Sequence, residues 1–177
     1  MRIDLIPVGE NPPHSLNVII EVPTGGEPVK YEFDKASGAL FVDRILHTPM
    51  RYPANYGFVP HTLSPDGDPL DALVVARSPF VPGCVVRARP IAVLNLEDEH
   101  GGDEKLVCVP DDATFPYYKD VQQKEDLPDI VFLARVFRVD HLEFLRPDHR
   151  AVAAGQTHRL ATGLVDQAHD VLLHLAT

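Results

Sequence analysis

Seventeen prolines and 11 glycines, most of them in the first two thirds of the 177-residue chain, leave little room there for long helices. Between them lie short runs rich in β-forming residues: Leu16 to Val22, Val29 to Phe33, Ala39 to Leu46, Ala72 to Ala76, Val85 to Leu96 and Lys105 to Val109. Lys30-Tyr31-Glu32-Phe33-Asp34 alternates polar and apolar residues, the pattern of a half-buried strand. Asp34-Lys35-Ala36-Ser37-Gly38 then reads as a turn into the next strand. Short strands at close spacing predict a mainly β (α+β) fold: a small closed antiparallel barrel.

The last third changes character. Asp126-Leu127-Pro128-Asp129 has the chemistry of a helix start, and Ile130, Leu133, Ala134 and Phe137 follow at helical spacing. Pro147 ends that helix, and a second is expected from about Thr157, where Leu160, Leu164, Ala168, Val171, Leu172 and Leu175 recur every three or four residues. About two helices should therefore pack outside the barrel. No linker divides the chain, which reads as one domain over 1–177.

Composition narrows the function. No apolar run approaches the roughly 18 residues of a membrane helix, and Met1-Arg2-Ile3-Asp4-Leu5 does not resemble a secretory signal. The formal charge is −10, which argues against nucleic acid as a partner, because phosphate backbones are bound through a basic footprint. An acidic protein can still bind an anion if it first concentrates metal cations. Cys84 and Cys108 each sit among apolar neighbours and have neither zinc nor disulfide-framework spacing. They are expected to be small core residues in a reducing cytoplasm.

The strongest chemical signal is Ser64-Pro65-Asp66-Gly67-Asp68-Pro69-Leu70-Asp71, with three carboxylates in six residues. Gly67 and Pro69 make it a tight loop. Carboxylates this close raise one another's pKa unless cations intervene, so the loop suits a hard ion such as magnesium, calcium or manganese. An EF-hand is excluded: counting from Asp66, Asp71 stands where glycine is required and Arg77 where the bidentate glutamate is required. A second acidic segment, Glu97-Asp98-Glu99-His100-Gly101-Gly102-Asp103-Glu104-Lys105, is expected as a hairpin-type loop. If both loops open at one barrel end, they can hold more than one divalent ion, and such ions activate a water in phosphoryl transfer.

Donors suited to phosphate accompany the acids. Lys30 and Glu32 share one strand face, Arg44 follows Asp43 on the next strand, and Lys105 ends the second acidic segment. Tyr52 and Tyr56 stand in a Pro/Gly-bounded stretch, Met50-Arg51-Tyr52-Pro53-Ala54-Asn55-Tyr56-Gly57-Phe58, expected as a loop.

These segments together resemble the bacterial family I soluble inorganic pyrophosphatases. The likeness runs from about residue 5 to about residue 135. It includes the strand ending at Glu21, Pro28-Val29-Lys30-Tyr31-Glu32, Gly38-Ala39-Leu40-Phe41-Val42-Asp43-Arg44, the tyrosine segment, the Asp66–Asp71 signature and Asp98 through Val107. The resemblance implies a five-stranded OB-like barrel and Mg2+-dependent hydrolysis of pyrophosphate to two phosphates, with Mn2+ or Zn2+ as substitutes. By position it implies Asp66, Asp71, Asp98 and Asp103 as metal ligands, Glu21 as a further carboxylate near the metals, and Asp68 as the base acting on the nucleophilic water. Lys30, Arg44, Tyr56 and Lys105 are implied phosphate contacts, and Glu32 and Tyr52 cavity lining. Assembly as a homo-oligomer, a hexamer in this family, is also implied.

The tail, from about residue 136, departs from that pattern. The family's Tyr-Lys pair after the first helix falls, in ungapped register, on Leu142 and Glu143, and the chain has no tryptophan for the strand that follows. A glutamate there would set a negative charge near an anionic substrate. The competing expectation is therefore a paralogue that binds Mg2+ and a phosphate compound with weak hydrolysis or none. An OB-type nucleic-acid binder is weaker still, given the charge. Five of the nine histidines lie in the tail without a zinc-helix pattern.

Overall fold

The computed structural model describes residues 1–47, 51–64, 66–98, 101–122, 126–127 and 142–144. Among the described residues there are eight strands: β1 Leu16–Val22, β2 Val29–Asp34, β3 Ala39–Ile45, β4 Asn55–Phe58, β5 Asp71–Val74, β6 Val85–Asp98, β7 Gly101–Pro110 and β8 Leu142–Phe144. The order β1-β4-β5-β7-β6 closes on itself through a further β1–β6 pairing, which gives a five-stranded barrel. β8 extends the ring beside β6, and β2 and β3 form a separate two-stranded sheet. The closed, mainly β fold matches expectation in all but one ladder: β5 and β7 run parallel, Asp71 beside Lys105 through Val74 beside Cys108. The only helical pieces among the described residues are short 3-10 turns, such as Ile3–Leu5 and Pro116–Tyr118. The helices expected from Asp126 and Thr157 fall on residues outside the described ones.

The wall of the barrel is buried on both sides, which explains its near-continuous apolar strands. Leu16, Val18 and Ile20 of β1 point inward with Ala72, Val74, Val93, Leu106 and Cys108. Leu73, Leu94, Val107 and Val109 point outward and are covered by Tyr118, Val121 and Leu127. Ile19, between the inward residues of β1, packs with Phe33 and Phe58 and so anchors the β2–β3 sheet to the barrel. The polar/apolar alternation of the β2 sequence is only partly expressed in burial: Val29 to Glu32 are all half-buried, and Phe33 alone is fully buried.

β4 corrects the sequence reading, which takes Arg51–Phe58 as a loop. Asn55 explains its place. The side chain is fully buried. Its Oδ1 accepts from the amides of Thr24 at 3.1 Å and Phe80 at 2.8 Å, and its Nδ2 donates to the Ser78 carbonyl at 3.2 Å. A buried amide this well satisfied holds three chain segments in register. The residues after it pair with both β1 and β5. Gly57 is needed there because a Cβ would meet the Ile19 carbonyl and Ile20 Cα across the β1 ladder.

The second acidic segment is also more regular than a loop. β6 and β7 stay paired out to Asp98 opposite Gly101, so Asp103, Glu104 and Lys105 lie on a strand. β8 joins β6 with Leu142 opposite Leu94 and Glu143 opposite Val93, so the two departing tail residues sit on a strand at the barrel edge.

Gly57→Ala should destabilise the chain by about 2 kcal/mol or more, since both neighbours of the new methyl are backbone that cannot rotate away. Urea unfolding measures it; an unchanged midpoint would show that β1 and β4 can move apart freely.

Candidate active site

One cavity of about 320 Å³ opens where the barrel meets the β2–β3 sheet. It is lined by Glu21, Lys30, Glu32, Arg44, Tyr52, Tyr56, Asp66, Asp68, Asp71, Asp103 and Lys105, which is every sequence-predicted site residue except Asp98. Asp98 ends β6, opposite Gly101 in the ladder, and its side chain is outside the described residues. Lys35, Phe58 and Pro69 line the same cavity and were not singled out by the sequence.

Three irregularities in the backbone aim these groups. β1 changes register against β4 between Ile20 and Val22, so Glu21 is the extra residue of a β-bulge. Bulges re-aim side chains beside functional sites. Glu21 turns toward β2, where its Oε1 accepts the Phe33 amide at 2.8 Å. A second bulge, between Lys30 and Tyr31, pairs Lys30 with Arg44 and Tyr31 with Val42 and leaves Asp43 extra. Asp43 Oδ2 then stands 3.2 Å from Lys30 Nζ, with Glu32 3.7 Å away on the other side. The third is the acidic loop, which tightens at Gly67, with φ of +91, a value that strains any side chain. There the Gly67 amide donates to the Ser64 carbonyl at 2.9 Å and the Ser64 amide to the Asp68 carbonyl at 2.7 Å. The Asp68 amide donates to Asp66 Oδ1 at 3.0 Å.

The parallel β5–β7 ladder supplies the centre. It sets Asp71 beside Lys105, with Asp103 two residues away on the same strand. Lys105 Nζ donates to Asp71 Oδ2 at 2.6 Å and to Asp103 Oδ1 at 2.8 Å. The Tyr56 hydroxyl donates to the same Asp71 oxygen at 2.6 Å. The rings of Tyr52 and Tyr56 lie 5.3 Å apart, and Lys105 Nζ stands 5.8 Å from the Tyr56 centroid.

Burial and charge shift these groups in opposite senses. Burial pulls the Lys105 pKa down, but Asp71 and Asp103 outweigh it and the net shift is upward. The ammonium is therefore held charged. Burial, reinforced by Asp71, drives the Tyr56 hydroxyl upward, so it remains a donor. Burial pushes Glu21 up to about 7, against the Phe33 hydrogen bond, which favours the charged form.

Six carboxylates and four cationic side chains line the described cavity, so acid is in excess. An anion meets net repulsion there unless further cations enter. Among the described residues no group of three acidic, histidine or cysteine side chains closes on a single ion site. The donor chemistry nonetheless fits a hard divalent ion. The ligating atoms are carboxylate oxygens with no histidine or cysteine among them, and Asp71 and Asp103 already converge on one cation, the Lys105 ammonium.

A small cavity between barrel and hairpin that gathers carboxylates and fixed cations has the side-chain chemistry of a phosphoryl-transfer enzyme. Comparisons with known proteins make the class specific. The profile of the inorganic pyrophosphatase family matches residues 18–171. The inorganic pyrophosphatase of Caulobacter vibrioides is 59% identical over 131 residues, 74% of each chain. That of Brucella melitensis is 52% identical over 147 residues, 83% of this chain and 84% of the relative. The crystal structure of inorganic pyrophosphatase from Ehrlichia chaffeensis, 40% identical, superposes with a TM-score of 0.73 over 80% of this chain and 92% of that one. The chain belongs to the inorganic pyrophosphatase family. Membership carries a divalent metal cofactor in general terms.

The raised pKa of Glu21 yields a pH test. The folded chain keeps this proton to about pH 7, against an ordinary carboxyl value of 4.5, so the folded state binds more protons than the unfolded one in that window. Stability is therefore lost as pH rises through it. Glu21→Gln removes the titration and can still accept the Phe33 amide. In chelator-treated protein, urea unfolding should show the stability difference moving by roughly 2 kcal/mol in the variant's favour between pH 5 and pH 8. A difference constant across that range would place Glu21 in water.

Proposed function

We propose that this cavity hydrolyses inorganic pyrophosphate to two orthophosphates with Mg2+ as the working ion and Mn2+ or Zn2+ as substitutes. One observation carries the reading: acids from β1, β7 and the Asp66–Asp71 loop, and lysines from β2 and β7, line one small cavity. Pyrophosphate has no apolar handle, so it must be held by cations and charge-assisted hydrogen bonds, and this cavity offers little else.

Asp66, Asp71, Asp98 and Asp103 would hold the ions, with Glu21 as a further carboxylate close to them. When bound, such ions would screen the substrate's charge and acidify water. Asp68 orients the attacking water and takes its proton as the water oxygen bonds to phosphorus and the bridging P–O bond breaks. Lys30, Arg44 and Lys105 draw charge onto the departing phosphate, and the Tyr56 hydroxyl donates to a phosphate oxygen. Asp43 and Glu32 keep Lys30 aimed inward, and Tyr52 and Glu32 wall the cavity.

The binding-without-turnover paralogue is the disfavoured reading. Apart from Asp98, whose side chain is not described, every acid the reaction needs lines the cavity, and Glu143 lies on a strand opposite Val93. Two free cysteines fit a reducing cytoplasm. No described helix is long and apolar enough to cross a membrane. Phe41, Val42 and Ile45 are exposed along β3, which supplies apolar surface for a homo-oligomer, a hexamer by family likeness.

A phosphate-release assay with Mg2+ and pyrophosphate tests the reading. Asp68→Asn should lose at least about 10²-fold in kcat. Asp71→Asn should be as inactive, with its unfolding midpoint near that of the parent, because Asp103 still pairs with Lys105. Parent-level turnover from either variant would remove the corresponding role.

A further inference from the structure

Lys35 belongs to the turn after β2, which the sequence presents as no more than a connection. In the folded chain its ammonium reaches across to the barrel. Nζ donates to Asp68 Oδ1 at 2.9 Å, over a sequence separation of 33 residues. Glu32 Oε1 lies 3.9 Å from the same nitrogen, and the Phe58 ring centroid 6.0 Å away. The contact joins the β2–β3 sheet to the Asp66–Asp71 loop.

The Asp68 side chain is 62% exposed and that of Lys35 39% exposed. An ion pair in that setting adds little to stability, on the order of 0–1 kcal/mol. Its effect on geometry is larger. An aspartate at a loop tip has several rotamers open to it, and a group that directs a water must be held in one. The Asp68 amide is already fixed by Asp66, and the Lys35 ammonium fixes the other end of the residue, at the carboxylate. Lys35 is itself braced by Glu32 and by the Phe58 face.

We propose that Lys35 is a positioning residue for Asp68, holding its carboxylate toward the cavity so that the water it serves is correctly placed. This rests on the reading of Asp68 as the base. Misplacement of a reacting group by about 1 Å can cost up to 10²-fold in rate, so the consequence falls on kcat. A direct phosphate contact by Lys35 would fall on KM instead.

The test is a kinetic cycle on the full chain with Mg2+ and pyrophosphate: parent, Lys35→Met, Lys35→Arg, Asp68→Asn and the Lys35→Met/Asp68→Asn double variant. Lys35→Met should lose about tenfold or more in kcat with KM changed by less than about threefold, and Lys35→Arg should recover most of the loss. In the Asp68→Asn background, Lys35→Met should cost less than about twofold, because there is no carboxylate left to aim. Unfolding midpoints should agree across the series. Three results overturn the proposal: unchanged kcat in Lys35→Met, a rise in KM alone, or an equal loss in the Asp68→Asn background. Failure of the base reading shows separately, as parent-level turnover in Asp68→Asn alone.

Discussion

Mutual repulsion of carboxylates gathered between the barrel and the β2–β3 sheet is the constraint from which the rest of the site follows. Asp71 is three-quarters buried and Asp103 nearly as much. Both place a carboxylate oxygen on one ammonium nitrogen, at 2.6 and 2.8 Å. The protein supplies its own cation at the centre, Lys105, which is nearly buried and is raised in pKa by those same two acids. Its net charge balance still favours acid. A cavity with that balance attracts cations before it attracts anions.

The barrel is what makes that concentration of charge affordable. Both faces of its wall are packed with aliphatic side chains, so stability comes from apolar burial in the strands that carry the acids. The site can then carry repulsion that a marginal fold could not tolerate. The rigid wall also sets precise offsets. Asp71 and Lys105 are neighbours because β5 and β7 are parallel and in register, and Glu21 faces β2 because a bulge rotates it out of the β1 ladder. The β2–β3 sheet, hinged on Phe33 and Phe58, closes the other side and brings Lys30, Glu32 and Lys35 to the cavity.

Much of this was legible in the sequence, and the parts that were not share a cause. β1 appears in the sequence with its final boundaries because five of its seven residues are aliphatic, with Val18, Ile19 and Ile20 in succession. β4 does not. It is four residues long, follows Pro53, contains Gly57 and begins with a polar residue that is buried only because three distant backbone groups satisfy it. The acidic loop declares its chemistry through composition, yet nothing local shows that Lys35, 33 residues earlier, pairs with it. Asp43 is similarly silent, because its approach to Lys30 depends on a bulge that no pattern of polar and apolar residues encodes. Local sequence reports periodicity and loop chemistry; it does not report register shifts or contacts across sheets.

The tail shows how much a ladder position matters to a charge argument. At the position of the family's lysine, facing the cavity, Glu143 would oppose an anionic substrate and threaten turnover. As part of β8 it is the partner of Val93, whereas Leu142 is the partner of Leu94, which in turn faces Lys105 on β7. The cations of the described cavity are engaged as well: Lys30 stands by Asp43 and Glu32, Lys105 by Asp71 and Asp103, and Lys35 by Asp68. An anion that draws on these ammonium groups takes them from their acids, and the acids then need other cations, so entry of anion and of cation to this cavity is coupled.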